Sequence, residues 1–197
     1  MPLSLVGSEM CIRDRTLDGA VYNTDSTQAY TAKTGGFYIV VNPGNTTAMS
    51  FISSNDNITF GTSGVSLWGD STHTIDTGTG AGAVTFDGAI QSGDDGNNDA
   101  LVIKSGTGAV TITGAIGVDK ELGGLKINAG ESAASSDDKS GDITITGAIG
   151  GTGGGDTDEP GVIGITKIGN DATTDITFSG ALYSFDGATT VTSASGD

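Results

Sequence analysis

Short runs of alternating apolar and polar residues recur along the chain and predict β-strands. The clearest run reads Val-Thr-Ile-Thr-Gly-Ala-Ile and begins at Val110. Similar runs begin at Val84, Ile143 and Ile176, and a degenerate one begins at Ile58. A period of two is typical of strands that bury one face and expose the other. We call this seven-residue run the first motif.

A second motif, an apolar residue followed two positions later by Ile, lies between copies of the first. It occurs at Leu101–Ile103, at Leu125–Ile127 and again at Ile163–Ile165. The clear copies of the first motif begin at residues 84, 110, 143 and 176, so their spacings are 26, 33 and 33 residues. Repeats of this length are typical of solenoids. The pattern therefore predicts an all-β fold, a parallel β-solenoid (β-helix) of four or five irregular coils.

Stacking the copies in register brings like residues together, with apolar side chains inside and threonines outside. The predicted inner columns are Val84, Val110, Ile143 and Ile176, and Phe86, Ile112, Ile145 and Phe178. The predicted outer column is Thr85, Thr111, Thr144 and Thr177, and the predicted turn positions are Gly88, Gly114, Gly147 and Gly180. An antiparallel β-sandwich is the alternative, since short strands separated by Gly and Asp turns fit it as well.

The pattern divides the chain into three parts. Residues 71–197 form the β-strand repeat region, and residues 16–70 form an N-terminal β region or cap. Residues 1–15 match neither, and Pro2–Arg15 resembles a translated sequencing adapter. Excluding this segment removes the single cysteine, Cys11, so we expect neither disulfides nor thiol chemistry elsewhere. We also expect the chain to be a fragment of a longer protein.

The charge balance narrows the classes of partner. The formal net charge is −16, with 8 basic residues against 24 acidic ones. Nucleic acids and anionic lipid surfaces are bound through Lys and Arg, so this balance argues against both. No apolar stretch is long enough to predict membrane insertion.

Clustered oxygen donors make calcium the candidate cofactor, because Ca²⁺ prefers carboxylate and amide oxygens. Asp142 and Asp175 both directly precede copies of the first motif, so adjacent coils would bring them about 4.8 Å apart. The other candidates lie in an acidic run and in a Gly-Asp run. The complete set of candidate metal ligands is Asp94, Asp95, Asn97, Asp99, Asp142, Asp175, Asp156 and Asp158.

Catalytic chemistry has little support in the sequence. The single histidine, His73, is predicted to be a solvated loop residue, and one histidine without a further cysteine disfavours zinc. A triad of Ser71, His73 and Asp76 is disfavoured because close sequence neighbours rarely converge in that geometry. Aromatic residues of the N-terminal third are predicted to form a local core.

The segments LVIKSGTGAVTITGAIG and LGGLKINAG resemble the β-strand repeats of large bacterial surface proteins, the filamentous-haemagglutinin-like and autotransporter-type adhesins. The resemblance spans roughly Gly82–Gly187. It implies an exported, extracellular or cell-surface protein with an adhesive or scaffolding role and no catalytic residues. The implied partners are a host-cell, matrix or glycan surface and neighbouring repeats of a longer chain. The alternatives are a polysaccharide-processing β-helix enzyme and a virion or tail-fibre component.

Overall fold

The computed structural model describes residues 15–17, 21–31, 37–39, 48–93, 99–129, 140–151 and 161–194. These ranges contain seventeen strands and no helix, and therefore no helix that is able to span a membrane. The strands are β1 (Arg15–Leu17), β2 (Val21–Thr24), β3 (Gln28–Tyr30), β4 (Phe37–Ile39), β5 (Ser50–Ser53), β6 (Ile58–Phe60), β7 (Val65–Leu67), β8 (Thr72–Asp76), β9 (Val84–Phe86), β10 (Ile90–Ser92), β11 (Ala100–Lys104), β12 (Val110–Ile112), β13 (Gly124–Ile127), β14 (Ile143–Ile145), β15 (Thr166–Ile168), β16 (Ile176–Phe178) and β17 (Thr189–Val191).

The strands form three sheets that the chain visits in a fixed order. A seven-stranded sheet contains β2, β5, β8, β11, β13, β15 and β17, and a six-stranded sheet contains β3, β6, β9, β12, β14 and β16. A four-stranded sheet contains β1, β4, β7 and β10, and single bridges extend its ladder from Ile90 to Ile116, Ile149 and Tyr183. Every strand pair is parallel. The parallel solenoid is confirmed, and the antiparallel sandwich is wrong.

The six-stranded sheet contains the first motif in the predicted register. Val110 pairs with Val84 and Ile143, and the neighbouring threonines pair in the same way. Val110 and Ile112 are fully buried, whereas Thr111 is half-buried on the outer side. Five copies of the motif supply β6, β9, β12, β14 and β16. The sixth strand, β3, has the sequence Gln-Ala-Tyr and carries no recognisable copy.

The seven-stranded sheet contributes a second inner wall. One column of seven apolar residues runs through the whole sheet: Tyr22, Phe51, Ile75, Ile103, Ile127, Ile168 and Val191. The second motif predicted at Ile163–Ile165 is wrong, because the strand paired with β13 begins at Thr166. Thr166 takes the buried place that leucine holds in the two preceding coils, and Ile165 is 55% exposed.

Close contact between coils explains the glycine at the fifth position of the four clear copies of the first motif. A Cβ atom at Gly147 would overlap the carbonyl group of Gly114, and one at Gly114 would overlap that of Gly88. Gly180 meets the carbonyl of Gly147 in the same way. The repeat therefore keeps glycine at this corner because the backbones of successive coils approach too closely for any side chain.

The N-terminal strands lie in the same sheets as the repeat region. The strand β5 pairs with β8, and β6 pairs with β9, so both ladders cross residue 70 without interruption. Arg15 begins β1 and pairs with Phe37, while the other residues of the adapter-like segment lie outside the described ranges.

Candidate functional site

The single histidine lies inside the solenoid, so its prediction as a solvated loop residue is wrong. His73 is 1% exposed, and it occupies the inner column that continues with Leu101 and Leu125. Its Nδ1 atom accepts a hydrogen bond of 3.4 Å from the backbone N–H of Met49. Its Nε2 atom lies 3.6 Å from Oδ1 of Asp99, which is itself fully buried. The prediction failed because both partners of His73 belong to other coils.

Asp99 was predicted to be a calcium ligand in an acidic loop, and the structure places it against the core. Its Oδ1 atom accepts a hydrogen bond of 3.2 Å from the backbone N–H of Ser71. Its Oδ2 atom is buried and has no hydrogen-bond partner among the described residues. A calcium ion bound by Asp99 would therefore have to reach a carboxylate that faces His73 rather than solvent.

The arrangement of Ser71, His73 and Asp76 does not form a triad. His73 points inward, whereas Asp76 is half-buried and accepts a hydrogen bond of 2.8 Å from the backbone N–H of Gly78. Within the part of the chain that the structure describes, the carboxylate that lies against His73 is instead that of Asp99 in the next coil. Both are closed off from solvent, so a substrate has no access to this pair in the folded chain.

The structure brings Asp142 and Asp175 to neighbouring places on adjacent coils, as predicted. The N–H of Val110 donates to the carbonyl of Asp142 (2.8 Å), and the N–H of Ile143 donates to the carbonyl of Asp175 (2.9 Å). Both aspartates are exposed. Two carboxylates supply only part of the six to eight oxygens that Ca²⁺ takes. Across the described ranges no group of three or more His, Cys, Asp or Glu residues is placed to hold a metal ion.

The remaining candidate metal ligands, Asp94, Asp95, Asn97, Asp156 and Asp158, lie outside the described residues. Calcium binding through them stays a prediction.

Aromatic side chains of the N-terminal third pack against one another inside the coils. Phe60 stacks on Phe86 at 4.7 Å between ring centroids, and on Tyr30 at 5.1 Å. Phe51 stacks on Tyr22 at 5.2 Å. Burial raises the pKa of the Tyr30 hydroxyl, and the neighbouring Tyr22 adds to the shift. The predicted local core is confirmed for Tyr22, Tyr30 and Phe51, which pack with Phe60 and Phe86 of the first motif, while the side chains of Phe37 and Tyr38 are not among those described.

Buried hydroxyl groups close the corner between the seven-stranded and six-stranded sheets. The hydroxyls of Ser53, Thr77 and Ser105 donate to the carbonyls of Asp56, Gly82 and Gly108 at 2.5 to 2.7 Å. These side chains recur at the same place in three successive coils, two residues after the inner apolar residues Phe51, Ile75 and Ile103. They were not predicted from the sequence, although small hydroxyl residues at equivalent places in successive repeats were the available signal.

A row of lysines on the outside of the seven-stranded sheet was also missed. Lys126 and Lys167 pair in register on β13 and β15, and Lys104 ends the neighbouring strand β11. Lys126 lies between the two apolar residues of a second motif, a place where the side chain must face outward. We call these three residues the lysine row.

Comparisons of the chain with protein-family models, with curated proteins and with solved structures found no match.

Proposed function

We propose that this chain is a non-catalytic part of an exported cell-surface repeat protein, in which it serves as an adhesive or structural scaffold. The observation that carries the proposal is the regular register of the coils. Equivalent residues meet at equivalent places through successive strands of each sheet, so the outer faces repeat along the stack. Extended, repeated surfaces are what solenoid proteins use for binding.

The positions of the reactive side chains favour this proposal over a polysaccharide-processing β-helix enzyme. Glycoside hydrolysis needs two carboxyl groups that flank an accessible cleft. Here His73 and Asp99 face each other in the interior, and the stacked rings of Phe51, Phe60 and Phe86 are buried as well. Adhesion instead uses groups that recur along an outer face, such as the threonines of the six-stranded sheet, of which Thr177 is exposed and Thr85, Thr111 and Thr144 are half-buried.

Retention on surfaces, measured together with substrate breakdown, tests the proposal. The purified chain is passed over beads coated with acidic glycans, neutral glycans or extracellular-matrix protein, and released reducing ends are measured in the same samples. We expect retention on at least one surface without release of reducing ends. Release above that of a heat-unfolded control would contradict the proposal and favour the enzyme. Retention on none of the surfaces would contradict the adhesive role.

Location is tested separately on cells that produce the protein. An antibody raised against the chain should label intact, unpermeabilised cells. Labelling that requires permeabilisation would contradict the cell-surface assignment.

A further inference from the structure

A column of threonines runs along the outer face of the six-stranded sheet. Strand pairing places one threonine of each of five successive strands directly beside the next: Thr59, Thr85, Thr111, Thr144 and Thr177. Neighbouring strands lie about 4.8 Å apart, so the side chains repeat at that interval. Threonine has a stiff side chain because its Cβ atom is branched. We call these five residues the threonine column.

A second column of hydroxyl residues lies two positions further along three of these strands. Thr113, Thr146 and Ser179 are exposed, and their backbone N–H groups donate to carbonyls of the preceding coil at 2.8 to 3.0 Å. Side chains two positions apart on an extended chain share a face and lie about 6.6 Å apart. The face therefore carries a two-dimensional array of hydroxyl groups, in the pairs Thr111 with Thr113, Thr144 with Thr146, and Thr177 with Ser179.

The backbone beneath the array is held in place from both sides. The inner neighbours of the threonines, among them Val110, Ile112, Ile143 and Ile145, are fully buried. Each of the three central strands, β9, β12 and β14, is also paired with a strand on either side. Binding to such an array loses little conformational entropy, because its groups are already ordered.

The hydroxyls of the threonine column are not used within the protein. Across the described ranges, none of the five has a side-chain hydrogen-bond partner. The column itself is uncharged, and the charged residues that adjoin it on these strands are the carboxylates Asp87, Asp142 and Asp175. Together with the net charge of −16 they repel an anionic ligand. The array therefore fits a neutral ligand whose own hydrogen-bonding groups repeat in two dimensions.

We propose that the threonine column and the hydroxyl residues beside it bind ice, an activity that goes beyond the adhesive role and does not depend on it. The strand spacing of about 4.8 Å is close to the repeat of water molecules along the a axis of hexagonal ice, so successive threonines meet successive lattice positions. Each contact is weak, but the rigid array engages many lattice positions at once.

A crystalline polysaccharide is the other neutral, ordered surface, and this face suits it less well. Sugar rings are bound largely through aromatic side chains, which present a broad apolar surface. The rings of Phe60, Phe86 and Phe178 belong to the core cluster, on the inner side of the same sheet.

Partition into slowly grown ice, together with thermal hysteresis, tests the proposal. We expect the chain to be enriched in the ice and to hold crystal growth below the melting point. The variant Thr111→Lys/Thr144→Lys raises two long charged side chains at the centre of the array and should lower the hysteresis about tenfold or more, because the array no longer engages as a whole. The matched control, Thr74→Lys/Thr190→Lys, adds the same charges to the outer face of the seven-stranded sheet and should keep it.

Exclusion of the wild-type chain from ice, to the extent seen for albumin, would overturn the proposal without any variant. Equal hysteresis of the wild type and the Thr111→Lys/Thr144→Lys protein would overturn the assignment of the face, with circular dichroism showing that both are folded. Retention on microcrystalline cellulose or chitin through the same threonines, with exclusion from ice, would overturn the class of ligand. The adhesive role is decided separately, by retention on glycans and matrix protein.

Discussion

His73 and Asp99 face each other inside the solenoid, with His73 Nε2 3.6 Å from Asp99 Oδ1 and both side chains at most 1% exposed. The distance exceeds that of an ordinary hydrogen bond, so the two side chains are in contact without forming one. Two residues 26 positions apart in sequence are thus joined through the pairing of β8 with β11. This contact ties successive coils together at a place where the neighbouring coils have leucine.

Removing one partner of this pair should cost more stability than removing both. His73→Leu leaves the Asp99 carboxylate buried with only its hydrogen bond to the Ser71 backbone, and we expect a loss of about 3 kcal/mol in the free energy of unfolding. The double variant His73→Leu/Asp99→Asn should recover part of that loss, because the amide is neutral and still accepts from the Ser71 N–H. Urea unfolding of His73→Leu, of Asp99→Asn and of the double variant measures the coupling. Strictly additive losses would argue against any interaction between the two side chains.

The inner and outer columns of β14 should respond differently to the same substitution. Ile145→Asp places a carboxylate in the fully buried column, and we expect a loss of more than about 4 kcal/mol or local unfolding. Thr144→Asp places it on the outer side and should cost about 1 kcal/mol or less. Urea unfolding and amide hydrogen exchange of β12 and β14 check both. Similar losses from the two substitutions would contradict the assignment of the two faces.

Two glycines should differ because an added Cβ atom would overlap a neighbouring backbone at only one of them. Gly147→Ala forces a Cβ atom into the carbonyl of Gly114, so we expect a loss of about 1–3 kcal/mol. Gly124→Ala is the matched control, since its Cβ would lie 3.4 Å from both the Ala100 Cβ and the Ile165 carbonyl oxygen, which are ordinary contacts. The control should be neutral or slightly stabilising, because alanine restricts the unfolded chain. Thermal unfolding compares them, and a Gly147→Ala protein as stable as the control would refute the close approach of the coils.

The stability of the chain should fall in alkali partly through Tyr30. Burial raises its pKa, so the unfolded chain ionises at about pH 10 while the folded chain keeps the proton. The unfolded state then binds fewer protons, and the free energy of unfolding decreases as the pH rises above about 10. Tyr30→Phe should cost about 1 kcal/mol at neutral pH through its lost hydrogen bond to Gln28, and it should show a shallower alkaline decline. Urea unfolding between pH 8 and 11 measures both slopes, and parallel slopes would contradict a buried Tyr30 hydroxyl.

The sequence was most informative where one kind of side chain returned in every coil. The column through Val110 and Ile112 was predictable because its neighbours are also Val, Ile or Phe, and alternation then assigned the threonines to the outer side. The prediction failed at β15, because Thr166 replaces the leucine of the motif and two nearby isoleucines imitated it. The strand β3 was not predicted for a similar reason, because its Gln-Ala-Tyr sequence does not resemble the strand residues of the first motif.

The interior polar contacts could not be predicted from the sequence, for a different reason. The partner of His73 depends on which residue of the next coil lies beside it. Because the coils differ in length, that residue cannot be identified until the pairing of β8 with β11 is known. The lysine row could be predicted only in part. Lys126 is the outward-facing residue of a second motif, so its position follows from the sequence. Its neighbour Lys167 lies in β15, a strand that the sequence pattern predicts three residues too early.

The most direct test of the central claim, that this solenoid binds a surface polymer without altering it, is the chain length of a glycan that retains the protein, measured before and after binding. The polymer is bound in low salt, held for several hours, released in high salt and sized by light scattering. We predict that it is retained by the protein and recovered at its original length. Recovery of shortened polymer would contradict a non-catalytic scaffold, and recovery of all polymer in the unbound fraction would contradict the adhesive role.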